Sequence, residues 1–155
     1  MLKIIFPSVL IIALLTTGCI SSSQQTPAAT PTLFSITSEW TIRMTHSGGI
    51  MGLMRSVEVS SNGNYTVVDE QTNNRATGQI AEDDLAKLGK VISSANFNTP
   101  EMPDGSVCAD CFIYDIEIHS SGNIFRVQLN DINLPASGME DLVISLRALI
   151  DSALK

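Results

Sequence analysis

The sequence is short of positive charge. Its 155 residues contain 9 Lys and Arg against 16 Asp and Glu, a formal net charge of −7. Proteins that bind nucleic acid need clustered Lys and Arg for their phosphate contacts, and this chain has no such cluster. We therefore expect no nucleic-acid partner. The acidic balance is interpreted as a source of solubility and of repulsion from anionic lipid.

Signatures of catalysis and metal binding are missing as well. The motifs G-x-S-x-G and H-E-x-x-H do not occur, and the glycines of GGIMG lack the following helix that a phosphate loop needs. His46 and His119 have no second ligand three to five residues further on, so both are interpreted as ordinary strand-end residues. Asp115 and Glu117 alternate with apolar residues, so they are interpreted as charges on the solvent-facing side of a strand. We predict no enzymatic activity, no metal and no cofactor.

No apolar run is long enough for a typical membrane-spanning helix. The longest extends from Ile4 and, even when stretched to Ile20, has 17 residues, whereas a spanning helix needs about 20. Lys3, this run and a small residue before Cys19 are typical of a signal peptide. The small residue followed by Cys19 resembles the lipobox of bacterial and some archaeal lipoproteins. The resemblance implies that residues 1–18 are removed and that acylated Cys19 anchors the protein on the extracytoplasmic side of the cell membrane. The alternative is an uncleaved membrane helix.

Charge is also absent from the segment that follows. No charged residue occurs between Lys3 and Glu39, and residues 19–37 are rich in Ser, Thr, Gln and Pro without any period. Such a composition predicts a flexible tether. Residues 38–155 are of the right length for one domain.

Cysteine is scarce, with three residues in the chain. If Cys19 carries lipid, Cys108 and Cys111 of the CADC motif remain as a pair. An exported protein is expected to oxidise such a pair, here to fix the shape of a turn. The alternatives are a redox motif, which would need a helix after the first cysteine, and a zinc site, which would need two further ligands.

Alternating and helical periods predict an α+β domain. Two hairpins are indicated, one at the Asn62-Gly63 turn and one between Ile118 and Phe125, and Ser137 with Glu140 forms a capping-box pattern before the last helix. We predict a four- to five-stranded antiparallel sheet with two helices packed on one face, in the order ββ(β)αββα.

The segment HSGGIMGLMRS follows neither period. One interpretation is that Gly48 and Gly49 make a bulge or sharp turn while Ile50 and Leu53 tuck under a helix. The alternative is that some of its bulky residues stay exposed as a contact patch, which suits the soft side chain of Met. Those residues are Ile50, Met51, Leu53 and Met54.

The order of these features resembles the emfourin family. The similarity spans residues 40–152 and rests on spaced glycines and apolar positions. The matching pieces are Arg43–Leu53, Leu85–Phe97, Pro103-Asp104, Tyr114–Ile118 and Leu142–Ile150. The resemblance implies a small α+β inhibitor of thermolysin-like zinc metalloproteases. The lipobox and the CADC motif depart from that inhibitor.

The sequence is therefore compatible with three functions. The first is a membrane-anchored, non-enzymatic domain that binds an extracytoplasmic protein and inhibits a metalloprotease. The second is a structural or scaffolding envelope lipoprotein without inhibitory activity, and the third is a small redox or zinc protein. By position in the emfourin-like segment, the residues assigned to partner binding are Arg43, Gly48, Gly49, Ile50, Met51, Gly52 and Leu53.

Overall fold

The computed structural model describes residues 36–97 and 108–155. The predicted signal peptide, Cys19 and the Pro103-Asp104 loop lie outside the described residues. The described elements are β1 (Trp40–Gly48), β2 (Leu53–Ser60), β3 (Asn64–Asp69), β4 (Asn74–Gln79), α1 (Glu82–Ser94), β5 (Phe112–Ser120), β6 (Asn123–Asn130), α2 (Leu134–Ser137) and α3 (Glu140–Ala153). None of these helices is long and apolar enough to cross a membrane.

The strands form one antiparallel sheet in the order β4-β3-β2-β1-β5-β6. The α+β class and the antiparallel sheet are confirmed, but the predicted four to five strands are too few. The polar segment NRATGQ forms the full strand β4 by pairing with β3 from Asn64 to Asp69, although it has almost no apolar alternation of its own. The observed order is therefore ββββαββαα.

A third helix is the other difference. Pro135 stands in the first turn of the short helix α2, and Gly138 ends it with a φ of 70°. The predicted capping box is wrong for this reason: Ser137 belongs to α2, and its Oγ accepts the N–H of Met139 at 3.0 Å. The long helix α3 starts at Glu140 without a side-chain cap.

One face of the sheet holds the core, and the other faces solvent. The core face carries Ile42, Met44, Val57, Val59, Val67, Tyr114, Ile116, Ile118, Phe125, Val127 and Leu129, which pack with Leu88 and Ile92 of α1 and Leu142, Val143, Leu146 and Ile150 of α3. The opposite surface, here called the open face, has exposed polar residues between these positions, as the alternating strands predicted.

The two ends of the sheet have different neighbours. The chain enters the domain at Thr37, whose N–H donates to Ser120 Oγ at 2.9 Å beside the start of β1. At the other end of β1, Gly48 pairs with Leu53 and Phe112. We call this second end the distal end. Because β1 has nine residues, it lies roughly 27 Å from the entry point.

Candidate interaction surface at the distal end

The turn between β1 and β2 carries the most exposed large apolar side chains of the described residues. Ile50 is 87% exposed and Met51 is 85% exposed. The interpretation that Ile50 tucks under a helix is wrong, because the hairpin ladder continues up to the Gly48–Leu53 pair and the tip projects beyond it. Leu53 is half-buried.

Two further apolar residues extend this surface onto the open face. Met54 and Ile113 both stand opposite Ser47, in the strands on either side of β1, so they share one face of the sheet. Met54 is 49% exposed and Ile113 is 36% exposed. We call Ile50, Met51, Met54 and Ile113 the distal patch.

Glycine is required where the turn meets the start of β5. Gly48 has a φ of 94°, and a Cβ there would collide with the backbone carbonyl of Cys111. Gly49 has a φ of 68°, and a Cβ there would stand 2.7 Å from the ring of Phe112. The N–H of Gly49 also donates to the Cys111 carbonyl at 3.1 Å. The turn is therefore held against β5 backbone to backbone.

The turn between β3 and β4 supports the tip from the other side. Gln71 Nε2 donates to the carbonyl of Met51 at 3.0 Å and to that of Gly52 at 2.6 Å. The backbone N–H of Glu70 donates to the Met54 carbonyl at 2.9 Å. These bonds fix the backbone of the turn while leaving its two largest side chains in solvent.

The CADC motif forms the third segment at this end. Cys108 and Cys111 lie at disulfide distance, with their Cα atoms 5.4 Å apart. The motif runs directly into β5 and not into a helix. The residues described hold no group of three or more potential metal ligands. The geometry thus fits a staple for the loop that carries the Cys111 carbonyl.

A buried polar group lies beneath the distal end on the core face. His46 was predicted to be an ordinary polar strand end, but it is only 6% exposed. Its ring stacks on Tyr114 at 5.1 Å and meets the edge of Phe112 at 4.8 Å between centroids. Its Nε2 has no hydrogen-bond partner among the residues that the structure describes. Burial, followed by the charge of Arg147, lowers the pKa of His46 to about 4, so the ring is neutral.

The neighbouring Tyr114 links two charged residues. Its hydroxyl donates to Asp131 Oδ1 at 3.1 Å, and Arg147 Nη1 donates to the hydroxyl at 3.3 Å. Asp131 Oδ2 also accepts the backbone N–H of Phe112 at 2.8 Å. Burial, together with the Asp131 carboxylate, raises the pKa of Tyr114. No sequence pattern indicated this cluster, because its members come from β1, β5, α3 and the segment after β6.

An ion pair stands next to His46 on β2. Arg55 is opposite His46 and Asp69 in the sheet, and its Nε donates to Asp69 Oδ2 at 2.9 Å. Although burial acts to raise it, the pKa of Asp69 is held below its usual range by the hydrogen bond from Arg55 and by backbone N–H groups. Those N–H groups belong to Gln71 and Thr72 of the β3–β4 turn. The pair thus anchors that turn.

The residues assigned from the sequence fall into two places. The structure brings together those from Gly48 to Leu53 in the turn. Arg43 is not with them: it lies on the open face, five residues back along β1, or roughly 17 Å away. There it stands between Glu58 and Glu117, and Glu117 is also bonded to Arg126. The middle of the open face is therefore a row of alternating charges.

No protein-family model matches the chain. A search of curated proteins finds no match either.

Proposed function

We propose that this protein is a lipid-tethered, non-enzymatic domain that binds another extracytoplasmic protein through its distal patch. The observation that carries the proposal is the exposure of Ile50 and Met51, at 87% and 85%, on a turn whose backbone is fixed. Large apolar side chains in solvent add nothing to the stability of the fold. Two of them side by side on a fixed turn therefore indicate a contact surface.

The other hairpin turns support this assignment by contrast. They have the sequences Ser61-Asn62-Gly63, Glu70-Gln71-Thr72-Asn73 and Ser121-Gly122, all polar. Only the turn after β1 places bulky apolar residues at its tip among the hairpins described. A turn needs residues that tolerate its backbone angles, and Ile50 and Met51 are not required for that purpose.

Rigidity is a second support. Backbone hydrogen bonds from Gly49 to Cys111 and from Gly52 to Gly49, and the side chain of Gln71, hold the turn in one shape. A surface that is already ordered loses less conformational entropy when it binds. Met51 and Met54 add side chains that adapt to a partner without moving the backbone.

The position where the chain enters the domain is a third observation that supports the proposal. Thr37 bonds to Ser120 and Ser121 at the end of the sheet opposite the distal patch. A tether that begins at an acylated Cys19 and joins there leaves the patch at the far end of the domain. The tether therefore does not cover the patch where it joins the domain, and a protein partner can reach it.

The emfourin resemblance suggests that the partner is a thermolysin-like metalloprotease, whose cleft would receive the turn. The test uses the mature chain with Cys19→Ser, which prevents acylation, titrated into such a protease. We expect stoichiometric inhibition that Ile50→Ser with Met51→Ser abolishes. The control is Ile124→Ser, because Ile124 is 47% exposed and pairs with His119 near the entry end of the sheet. If micromolar protein inhibits no thermolysin-like enzyme, the inhibitor proposal is wrong.

The second candidate is a scaffolding envelope lipoprotein that uses the same patch without inhibition. The CADC staple and the lipobox, which depart from the emfourin pattern, favour it. A photo-crosslinker placed at position 51 in cells would separate the two candidates. Cross-linking to a protease supports the first, and cross-linking to an envelope-assembly protein supports the second.

A further inference from the structure

Exposed carboxylates border the distal patch on two sides. Glu70 adjoins the patch through its backbone bond to Met54, and Asp110 precedes Cys111, which binds Gly49. Both carboxylates belong to exposed residues. Neither forms an ion pair with another residue in the ranges 36–97 and 108–155. Two free negative charges therefore border the apolar surface on opposite sides.

Of the basic side chains at this end, Arg75 is exposed on β4, one strand beyond Glu70, and the other two are engaged within the domain. Arg55 binds Asp69 at 2.9 Å and Asp151 at 3.4 Å. Arg147 donates to the Tyr114 hydroxyl and lies 5.9 Å from the centre of the Phe112 ring. Neither guanidinium offsets the outward-facing carboxylates. With Glu70 and Asp110 against Arg75, the exposed charge that a partner meets at this end is thus negative on balance around an apolar centre.

This negative charge distinguishes between a second copy of the chain, a membrane and another protein as the partner of the patch. In a symmetric contact with a second copy, the same patch meets itself, so Glu70 and Asp110 would approach the carboxylates of their counterparts. An anionic membrane would be repelled in the same way. An apolar groove bordered by positive charge would gain both apolar burial and electrostatic complementarity.

We infer that the distal patch is shaped for a partner protein segment that presents bulky apolar side chains flanked by Lys or Arg. This inference rests on the proposed binding function and names the chemistry of the partner. Ile50 and Met51 supply the apolar contact. Glu70 and Asp110 attract the Lys or Arg residues that flank the partner segment. This attraction accelerates association, and salt weakens it.

The probe is a displayed library of random 12-residue peptides, selected on the immobilised mature chain with Cys19→Ser. We expect the selected peptides to contain apolar residues next to Lys or Arg. Ile50→Ser with Met51→Ser should weaken their binding at least tenfold. Glu70→Gln with Asp110→Asn should weaken it by roughly threefold to tenfold and flatten its dependence on salt, since two exposed pairs of about 0.5 kcal/mol each are lost.

The matched control is Glu82→Gln with Asp83→Asn, which removes two exposed acids from the first turn of α1 and should leave peptide binding unchanged. Circular dichroism verifies that each variant is folded. Selected peptides without basic enrichment, or equal effects of the two acidic double variants, overturn the inference. So does a dimer in sedimentation that Ile50→Ser with Met51→Ser dissociates, or flotation with phosphatidylglycerol vesicles that the same variant abolishes.

The outcomes separate this inference from the protease proposal. Basic apolar peptides that bind through Ile50 and Met51, in a protein that inhibits no thermolysin-like enzyme, support the inference and reject the inhibitor. Inhibition that Glu70→Gln with Asp110→Asn leaves unchanged at low salt supports the inhibitor and rejects the basic border.

Discussion

The turns after β1 and after β5 close hairpins at opposite ends of one sheet, and they solve the same problem differently. Ser121 and Gly122, with φ of 51° and 77°, reverse the chain in two polar residues. The turn after β1 uses four residues and has an apolar tip. Gly49 and Gly52 in this turn have positive φ, as does Gly48 at the end of β1. The polar turn shows that this sheet can reverse its chain without exposed apolar residues. The apolar tip is therefore not needed to reverse the chain, which agrees with the binding role proposed for it.

The largest effect should come from adding a side chain to the glycine that joins the distal loops. Gly48→Val combines an unfavourable φ with a collision against the Cys111 carbonyl, so we expect a loss of about 3 kcal/mol or more in unfolding free energy. Gly122→Ala meets nothing within 4 Å and should cost about 1 kcal/mol, from its φ alone. Urea denaturation measures both, and equal losses would remove the contrast between the turns.

The pH dependence of stability reports on the buried histidine at the distal end. The pKa of buried His46 is about 4 against 6.5 in the unfolded chain, so the unfolded state binds the proton more readily. The free energy of unfolding is therefore unaffected by this proton above pH 6.5. It falls by roughly 3 kcal/mol as the pH falls from 6.5 to 4.

His46→Phe should flatten this part of the stability curve, because phenylalanine keeps an aromatic ring against Tyr114 and Phe112 and cannot bind the proton. Thermal unfolding at several pH values between 7 and 4 provides the measurement. An unaltered curve in His46→Phe would mean that the ring is not buried as described.

A smaller effect should follow from opening the staple. Cys108→Ser with Cys111→Ser removes a four-residue closed loop and should cost about 2 kcal/mol in the loop-entropy model. Because Cys111 holds Gly49, we also expect faster hydrogen exchange at the Gly49 amide, with no change at Gly122. Unchanged exchange at Gly49 would show that the loop positions the turn without the staple.

The smallest effect on stability should accompany the largest effect on binding. Ile50→Ser with Met51→Ser should change the unfolding free energy by less than about 0.5 kcal/mol, because both side chains are solvent-exposed in the folded state. Chemical denaturation of this variant beside the parent tests the point. A loss above 1 kcal/mol would place these residues among the packed ones and weaken their assignment to a partner.

Local patterns predicted the fold wherever one face of an element is buried. Phe112 to Ile118 and Phe125 to Leu129 alternate because every second residue enters the core, and the hairpin between them is confirmed. The strand β4 lacks such a pattern, since its edge position leaves nearly every side chain in water. Ser137 satisfied a capping motif locally, but Gly138 turned the chain before α3 could use it.

Only part of the candidate site could be predicted from the sequence. The glycines and the unusual apolar run marked the segment, yet sequence could not tell whether Ile50 faces in or out, because no period applies to a turn. His46 looked like a strand end, and its burial arises from Tyr114 and Phe112, more than 60 residues further along the chain.

By itself, the sequence determined the composition of the domain, its alternating strands, its closing helix and the need for glycine before Ile50. These follow from side-chain period and backbone freedom, which are local properties. The tertiary structure alone decided that the distal loops meet, that His46 is enclosed beneath them, and that Ile50 and Met51 remain in solvent. These depend on which distant segments pack together, and short-range patterns contain no record of such contacts.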